Sequence, residues 1–273
     1  MSTATNLRLE IAQTGVWGSV MRIVTNKKLA RRNRKLTNYL FFGTFGALIL
    51  SFFVINASLF TGDIPDSLGV IVQSAMLPIA FILTVLSVRM TNLWARVPRP
   101  EKAIEDGLKG LSNKSVLYNY YHFPARHVLI CPQGVFAIVT RWHDQEYTYR
   151  DGKFRSHRNV ISKFFSLFRL DGVGKPLRDA EIARQEVQRS IDEIAPDVDV
   201  QPLVVFVDPS VKINFEDELD TPVLFADTRL SPNLKDFMRD AKRRISEESG
   251  DAKNANLMPL SDQQIEAFEK ATI

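Results

Sequence analysis

The sequence predicts an α/β or α+β domain, a mixed sheet flanked by helices, standing behind an α-helical hairpin of two membrane spans. Three features carry that reading. Two uncharged apolar runs lie close together in the first third of the chain, short alternating elements begin near Arg99, and the later run PLVVFV is continuously apolar, as a central strand is.

The chain has 273 residues, 45% hydrophobic and 24% charged, which excludes a collagen-like or wholly disordered protein. A single cysteine, Cys131, excludes a disulfide framework and a thiolate metal cluster, and reads as a reduced, cytosolic environment. The net charge of +4 is unevenly spread: residues 1–35 hold eight Lys or Arg against one acid, whereas 89–273 hold 27 against 28. The basicity is therefore local.

The first 36 residues read as a basic leader. Val16, Trp17, Val20, Met21 and Val24 recur at helical spacing, so 7–25 is either an interfacial helix or a disordered segment. The cluster Lys27, Lys28, Arg31, Arg32, Arg34 and Lys35 reads first as a topology signal, ahead of a lipid or nucleic-acid patch, because it lacks interleaved aromatics. Residues 37–93 form the hairpin. Runs 39–60 and 67–88 each match the roughly 20 residues a helix needs to cross a bilayer, and Pro78 in the second is tolerable there. A cleavable signal fits poorly, since the apolar run starts after 35 residues and is too long. The linker TGDIPD carries only acids, while basic residues flank both outer ends, including Arg89, Arg96 and Arg99. The expectation is a two-span membrane protein with both termini cytoplasmic. Tyr39 and Trp94 suit the interfacial belts.

Behind the hairpin, 99–246 reads as one domain, followed by a loop and a final helix in 247–273. Ile104, Leu108 and Leu111 lie at helical intervals after Pro100, which a helix start accommodates. Apolar runs 127–130 and 135–140 flank Cys131-Pro132-Gln133-Gly134, a hairpin. Asp151-Gly152 marks a second hairpin turn, extending the same sheet. Leu177, Ala180, Arg184, Val187, Ile191 and Ile194 follow the period of a long helix, and 223–225 is a short strand after PLVVFV. Residues 233–246 form a basic amphipathic helix, and Ser261 with Gln264 caps the last one.

Most motifs that would carry chemistry are absent from the sequence. No HExxH or Cys pair is present, and Gly172-Val173-Gly174-Lys175 lacks both the spacer and the Ser/Thr of a phosphate loop. No GxSxG elbow supports a hydrolase triad.

The order of elements over about 99–230 resembles the nuclease-related domain (NERD) family, a branch of the PD-(D/E)xK nuclease superfamily. The residues carrying the likeness are PEKAIEDGLKGL, HVLICPQGVFAIVTR, the Asp151-Gly152 turn, KPLRDAEIARQEVQRSIDE and PLVVFVD. The resemblance implies a restriction-endonuclease-like fold, a site at five positions and a family histidine beside them. There Glu101 keeps the first-helix acid and His127 keeps the family histidine, but Arg126 replaces the metal-binding acid. Val139 replaces the Glu of Glu-x-Lys, Arg141 its Lys, and Asp179 the helix Gln.

Valine cannot ligate a metal, and guanidiniums repel one and cannot act as bases. The expected reading is thus a membrane-anchored, catalytically inactive nuclease-like module without a cofactor, binding a protein partner or an anion. Arg126, His127 and Arg141 are the anion-binding candidates, with Glu101 and Glu105 as counter-charges. The alternative is a Mg²⁺-dependent nuclease with relocated acids such as Asp144 or Glu146. The bilayer and a phosphate-bearing ligand are the expected partners. A nucleic-acid module using Lys242, Arg243 and Arg244 is disfavoured by the near-neutral domain charge.

Overall fold

The computed structural model describes residues 21–56, 66–156, 173–250 and 256–272. Its core is a six-stranded mixed sheet with helices on both faces. The chain enters through β1 (Arg22–Thr25), so the C-terminal part of segment 7–25 is a strand and not an interfacial helix. Residues 7–20 lie outside the described residues. β1 pairs in parallel with β2 (Val116–Asn119), a partner distant in sequence, and a long-range ladder of this kind overrides the local helical spacing.

Asn26 then starts α1 (Lys27–Ile55), its side chain accepting the Leu29 N–H at 3.0 Å. The basic cluster is therefore the first two turns of the same helix that carries the apolar run. Residues 57–60 of that run are outside the described residues. α2 (Asp66–Trp94) runs unbroken through Pro78. Both helices are long and apolar enough to span a membrane.

Their packing reverses that of a soluble hairpin. Ala30, Thr37, Thr44 and Ser51 recur every seven residues and are buried on α1, as are Ala80 and Ser87 on α2. Thr37 Oγ1 reaches the Met90 carbonyl at 3.3 Å, Thr44 Oγ1 the Leu83 carbonyl at 3.2 Å, and Ser51 Oγ the Met76 sulfur at 3.6 Å. Small and hydroxyl side chains fill the seam, while Tyr39, Phe41, Phe42, Phe45, Phe52 and Phe53 face outward.

The domain continues with α3 (Pro100–Gly107), β3 (His127–Cys131), β4 (Gly134–Arg141), β5 (Glu146–Arg150), β6 (Lys153–Ser156), α4 (Pro176–Asp192), β7 (Val200–Phe206), β8 (Lys212–Phe215) and β9 (Val223–Phe225). It closes with α5 (Leu234–Ser249) and α6 (Asp262–Thr272). The main sheet runs β1-β2-β3-β4-β7-β9, with β2, β3 and β4 antiparallel in turn and β4, β7 and β9 parallel. The predicted Asp151-Gly152 hairpin forms, with φ of 52° and 71°. It does not extend the main sheet, however: β6-β5-β8 is a separate three-stranded sheet, because β5 pairs with β8.

Strand alternation divides the core into two layers. Val128, Ile130, Ala137, Val204 and Phe206 pack against α4 and α6, while Leu129, Phe136, Ile138, Leu203 and Val205 pack against α3 and α5. The final helix belongs to the domain core: Ile265 and Phe268 are buried, and Glu269 accepts from Tyr118 Oη at 2.7 Å and pairs with Arg22 at 2.5 Å. Ser261 and Gln264 make the expected capping box.

Candidate functional site

Four of the five sequence-selected positions converge where the strands end beneath the start of α4. The β3–β4 register pairs His127 with Ile138, and one step further along it Arg126 faces Val139, while the Tyr120 N–H to Arg126 carbonyl bond (2.7 Å) extends the β2–β3 ladder on the other side. Arg141, two residues beyond Val139, shares its face. Asp179, in the first turn of α4, reaches down to pair with Arg141.

The two arginines differ in how they are held. Arg141, with its side chain 15% exposed, is anchored on three sides: Nε donates to the Val173 carbonyl at 3.1 Å, Nη1 to the Thr140 carbonyl at 3.1 Å, and Nη2 to Asp179. Arg126 lies with Cζ 5.5 Å from the centroid of the Trp142 ring. Among the described residues no carboxylate and no hydrogen-bond acceptor meets any of its five donors. Burial pulls the pKa of Arg126 down, the Tyr120 phenol opposes this, and Arg141 adds a repulsive contribution. Burial also lowers that of Arg141, against the stabilising charge of Asp179. Two partly desolvated guanidiniums that repel one another, with one carboxylate that pairs only with Arg141, leave a local excess of positive charge.

Trp142 is itself fixed, its Nε1–H donating to the Pro98 carbonyl at 3.0 Å. The stacking platform under Arg126 is thereby tied to the segment that returns from α2.

His127 is placed elsewhere. It points to the opposite face, is fully buried, and meets Asn119 Oδ1 through Nδ1 at 2.7 Å. Asn119 Nδ2 donates to Thr25 Oγ1 at 3.0 Å, which turns Oδ1 toward the imidazole and leaves the proton on Nδ1. Burial, with Arg126 adding to it, pushes the imidazole down to about 3, so it is neutral and does not join the arginine pair.

Glu101 is also separate from that pair. Its carboxylate takes Arg34 from α1 on one oxygen and the Tyr120 hydroxyl on the other, at 2.6 Å. Tyr120 packs on Trp94 of α2, ring centroids 5.2 Å apart, with a φ of 67° that non-glycine residues rarely adopt. Glu105 pairs with Lys102. Neither first-helix acid serves Arg126 or Arg141. Sequence reasoning missed Arg34, Tyr120 and Trp142, whose roles depend on where the hairpin meets the domain.

Of the acids considered for a relocated metal site, Asp144 pairs with Arg96 at 3.2 Å and Glu146 is exposed at the start of β5. Among the described residues no group of three His, Cys, Asp or Glu could hold a metal ion. Lys242, Arg243 and Arg244 are exposed on α5, which covers the face opposite α4, so they do not continue the arginine site. Comparison of the chain with protein-family models, with curated proteins and with solved structures finds no match.

Proposed function

We propose that this protein is a membrane-anchored module whose domain binds a phosphate-bearing anion at Arg126, held in place by the anchored Arg141. One observation carries the reading: Arg126 is a partly buried guanidinium with no counter-charge among the described residues, set beside a second guanidinium. Burying an unpaired charge is costly, and an oxyanion would relieve both the desolvation and the repulsion. With its Cζ over the Trp142 ring, 5.5 Å from the centroid, the planar guanidinium fork can donate to an oxyanion in bidentate fashion.

The membrane anchor is supported by the reversed hairpin, with hydroxyl and small side chains inside and phenylalanines outside. The basic first turns of α1 favour a cytoplasmic domain and both termini on that side. The resemblance to nuclease-related domains gives the same location for the site, but the residues do not suit Mg²⁺. Arg126, Val139 and Arg141 offer no oxygen ligand, and their charge opposes a cation. We derive no metal-dependent step.

The test is a titration of the detergent-solubilised full chain with inorganic phosphate, beside Arg126→Gln. Saturable binding lost in the variant supports the reading, and binding unchanged in the variant overturns it. Magnesium-dependent cleavage of DNA by the same preparation would instead support the nuclease alternative.

A further inference from the structure

The arginine site lies at the end of the sheet from which the membrane hairpin departs. β1 leads through Asn26 into α1, and the pairing directions place the C-terminal ends of β1, β2 and β4 and the N-terminal end of β3 at one edge. Arg126, Asn119 and Arg141 all stand on that edge. The returning helix closes on the same place: Trp94 packs on Tyr120, whose N–H holds the Arg126 carbonyl, and Pro98 receives the Trp142 indole.

This fixes a depth. Trp94 lies six positions beyond Val88, the end of the second apolar run, which is about 9 Å along a helix at 1.5 Å per residue. The polar headgroup layer outside the hydrocarbon is roughly 5–7.5 Å thick on each side. Arg126, one side-chain contact from Trp94 through Tyr120, therefore sits at the outer edge of the headgroups. The exposed Lys27, Lys28, Arg31 and Arg32 on α1 leave the same edge and raise the local concentration of anionic lipid.

We infer that the anion bound by Arg126 is the phosphate of an anionic phospholipid headgroup in the leaflet beside the domain. The inference rests on the anion-binding reading above and adds the source of the phosphate. Arg126 offers the open fork, Arg141 supplies a fixed second charge, and the hairpin holds both at the surface. The site would thus read lipid charge close to the bilayer, separately from the diffuse attraction of the α1 cluster.

The experiment uses the full chain in detergent, incubated with phosphatidylcholine or with phosphatidylglycerol, and measures lipid retained after purification. Wild type, Arg126→Gln, Arg126→Lys and Lys27→Gln/Lys28→Gln are compared, with thermal melting to check the fold. The expected result is preferential retention of phosphatidylglycerol, reduced about tenfold by Arg126→Gln and by Arg126→Lys, which keeps charge but loses the fork. The Lys27/Lys28 variant should lose less. Retention unaffected by either Arg126 variant overturns the inference. Inorganic phosphate binding that depends on Arg126, without preference for anionic lipid, overturns the headgroup assignment and leaves the anion reading standing. If neither phosphate nor lipid depends on Arg126, both fail.

Discussion

The guanidinium of Arg126 lies over the indole of Trp142, Cζ 5.5 Å from the ring centroid, and that indole is hydrogen-bonded to Pro98 in the segment returning from the hairpin. Cation and platform can therefore be separated. Trp142→Phe keeps a ring under Arg126 and loses one hydrogen bond. It should cost about 1 kcal/mol of stability and leave phosphate binding nearly intact. Trp142→Leu removes the π face and should weaken binding severalfold. Titration of both variants checks this, and equal binding by the two would contradict a role for stacking.

Glu101 links the hairpin to the domain through Arg34 and Tyr120. A double-mutant cycle of Arg34→Ala and Glu101→Ala should return a coupling of about 1–2 kcal/mol, since the pair is only partly exposed and shares a phenol. Purely additive losses in thermal melting would show that the contact contributes nothing.

The His127 imidazole is held near a pKa of about 3, against 6.5 in an unfolded chain. Below 6.5 the unfolded state takes up a proton that the fold refuses, so stability falls as pH drops toward 3. The slope is at most about 1.4 kcal/mol per pH unit. Above 6.5 neither state holds the proton and the contribution vanishes. His122, pushed down to about 4 by burial, acts with the same sign. Denaturant unfolding from pH 7 to 4 should show a flatter dependence in His127→Gln than in wild type. Parallel curves would place the imidazole in a solvated setting.

Gly107 ends α3 where it passes beneath the strand-end loop after β9. A Cβ there would lie 2.8 Å from the Ala226 carbonyl oxygen, a backbone atom with little freedom to move. Gly107→Ala should destabilise by about 1–3 kcal/mol through overpacking, although alanine is the better helix former. A melting temperature at or above wild type would show that the two segments can part.

Thr44 occupies the centre of the hairpin seam, opposite the Leu83 carbonyl. Thr44→Ala removes one interhelical hydrogen bond, worth about 0.6 kcal/mol in a membrane, and should be mild. Thr44→Leu widens the seam and should loosen the hairpin. Cysteine cross-linking between the helices in vesicles reads the difference. Equal cross-linking in both would put Thr44 outside the interface.

Local pattern was sufficient where one short-range effect dominates. The apolar runs, the Asp151-Gly152 turn, the Ser261 capping box and the strand at Val223–Phe225 were legible because length, backbone freedom or one hydrogen bond decides each. β1, β2 and β8 were not. Each is four residues long, and β1 and β8 are only partly buried, stabilised by partners that pattern alone does not reveal.

The candidate site divides in the same way. Residue identity makes these three positions unsuited to holding a metal: Val139 has no ligand atom, and Arg126 and Arg141 carry permanent charge. Strand alternation could have placed Arg126 and Arg141 on one face and His127 on the other once the hairpin register was known. Charge pairing could not be read so. Glu101 went to Arg34, Asp179 to Arg141 and Asp144 to Arg96, across gaps of dozens of residues. Side-chain chemistry and span length are properties of the chain itself. Which guanidinium is left without a partner among the described residues depends on which surfaces the fold brings together.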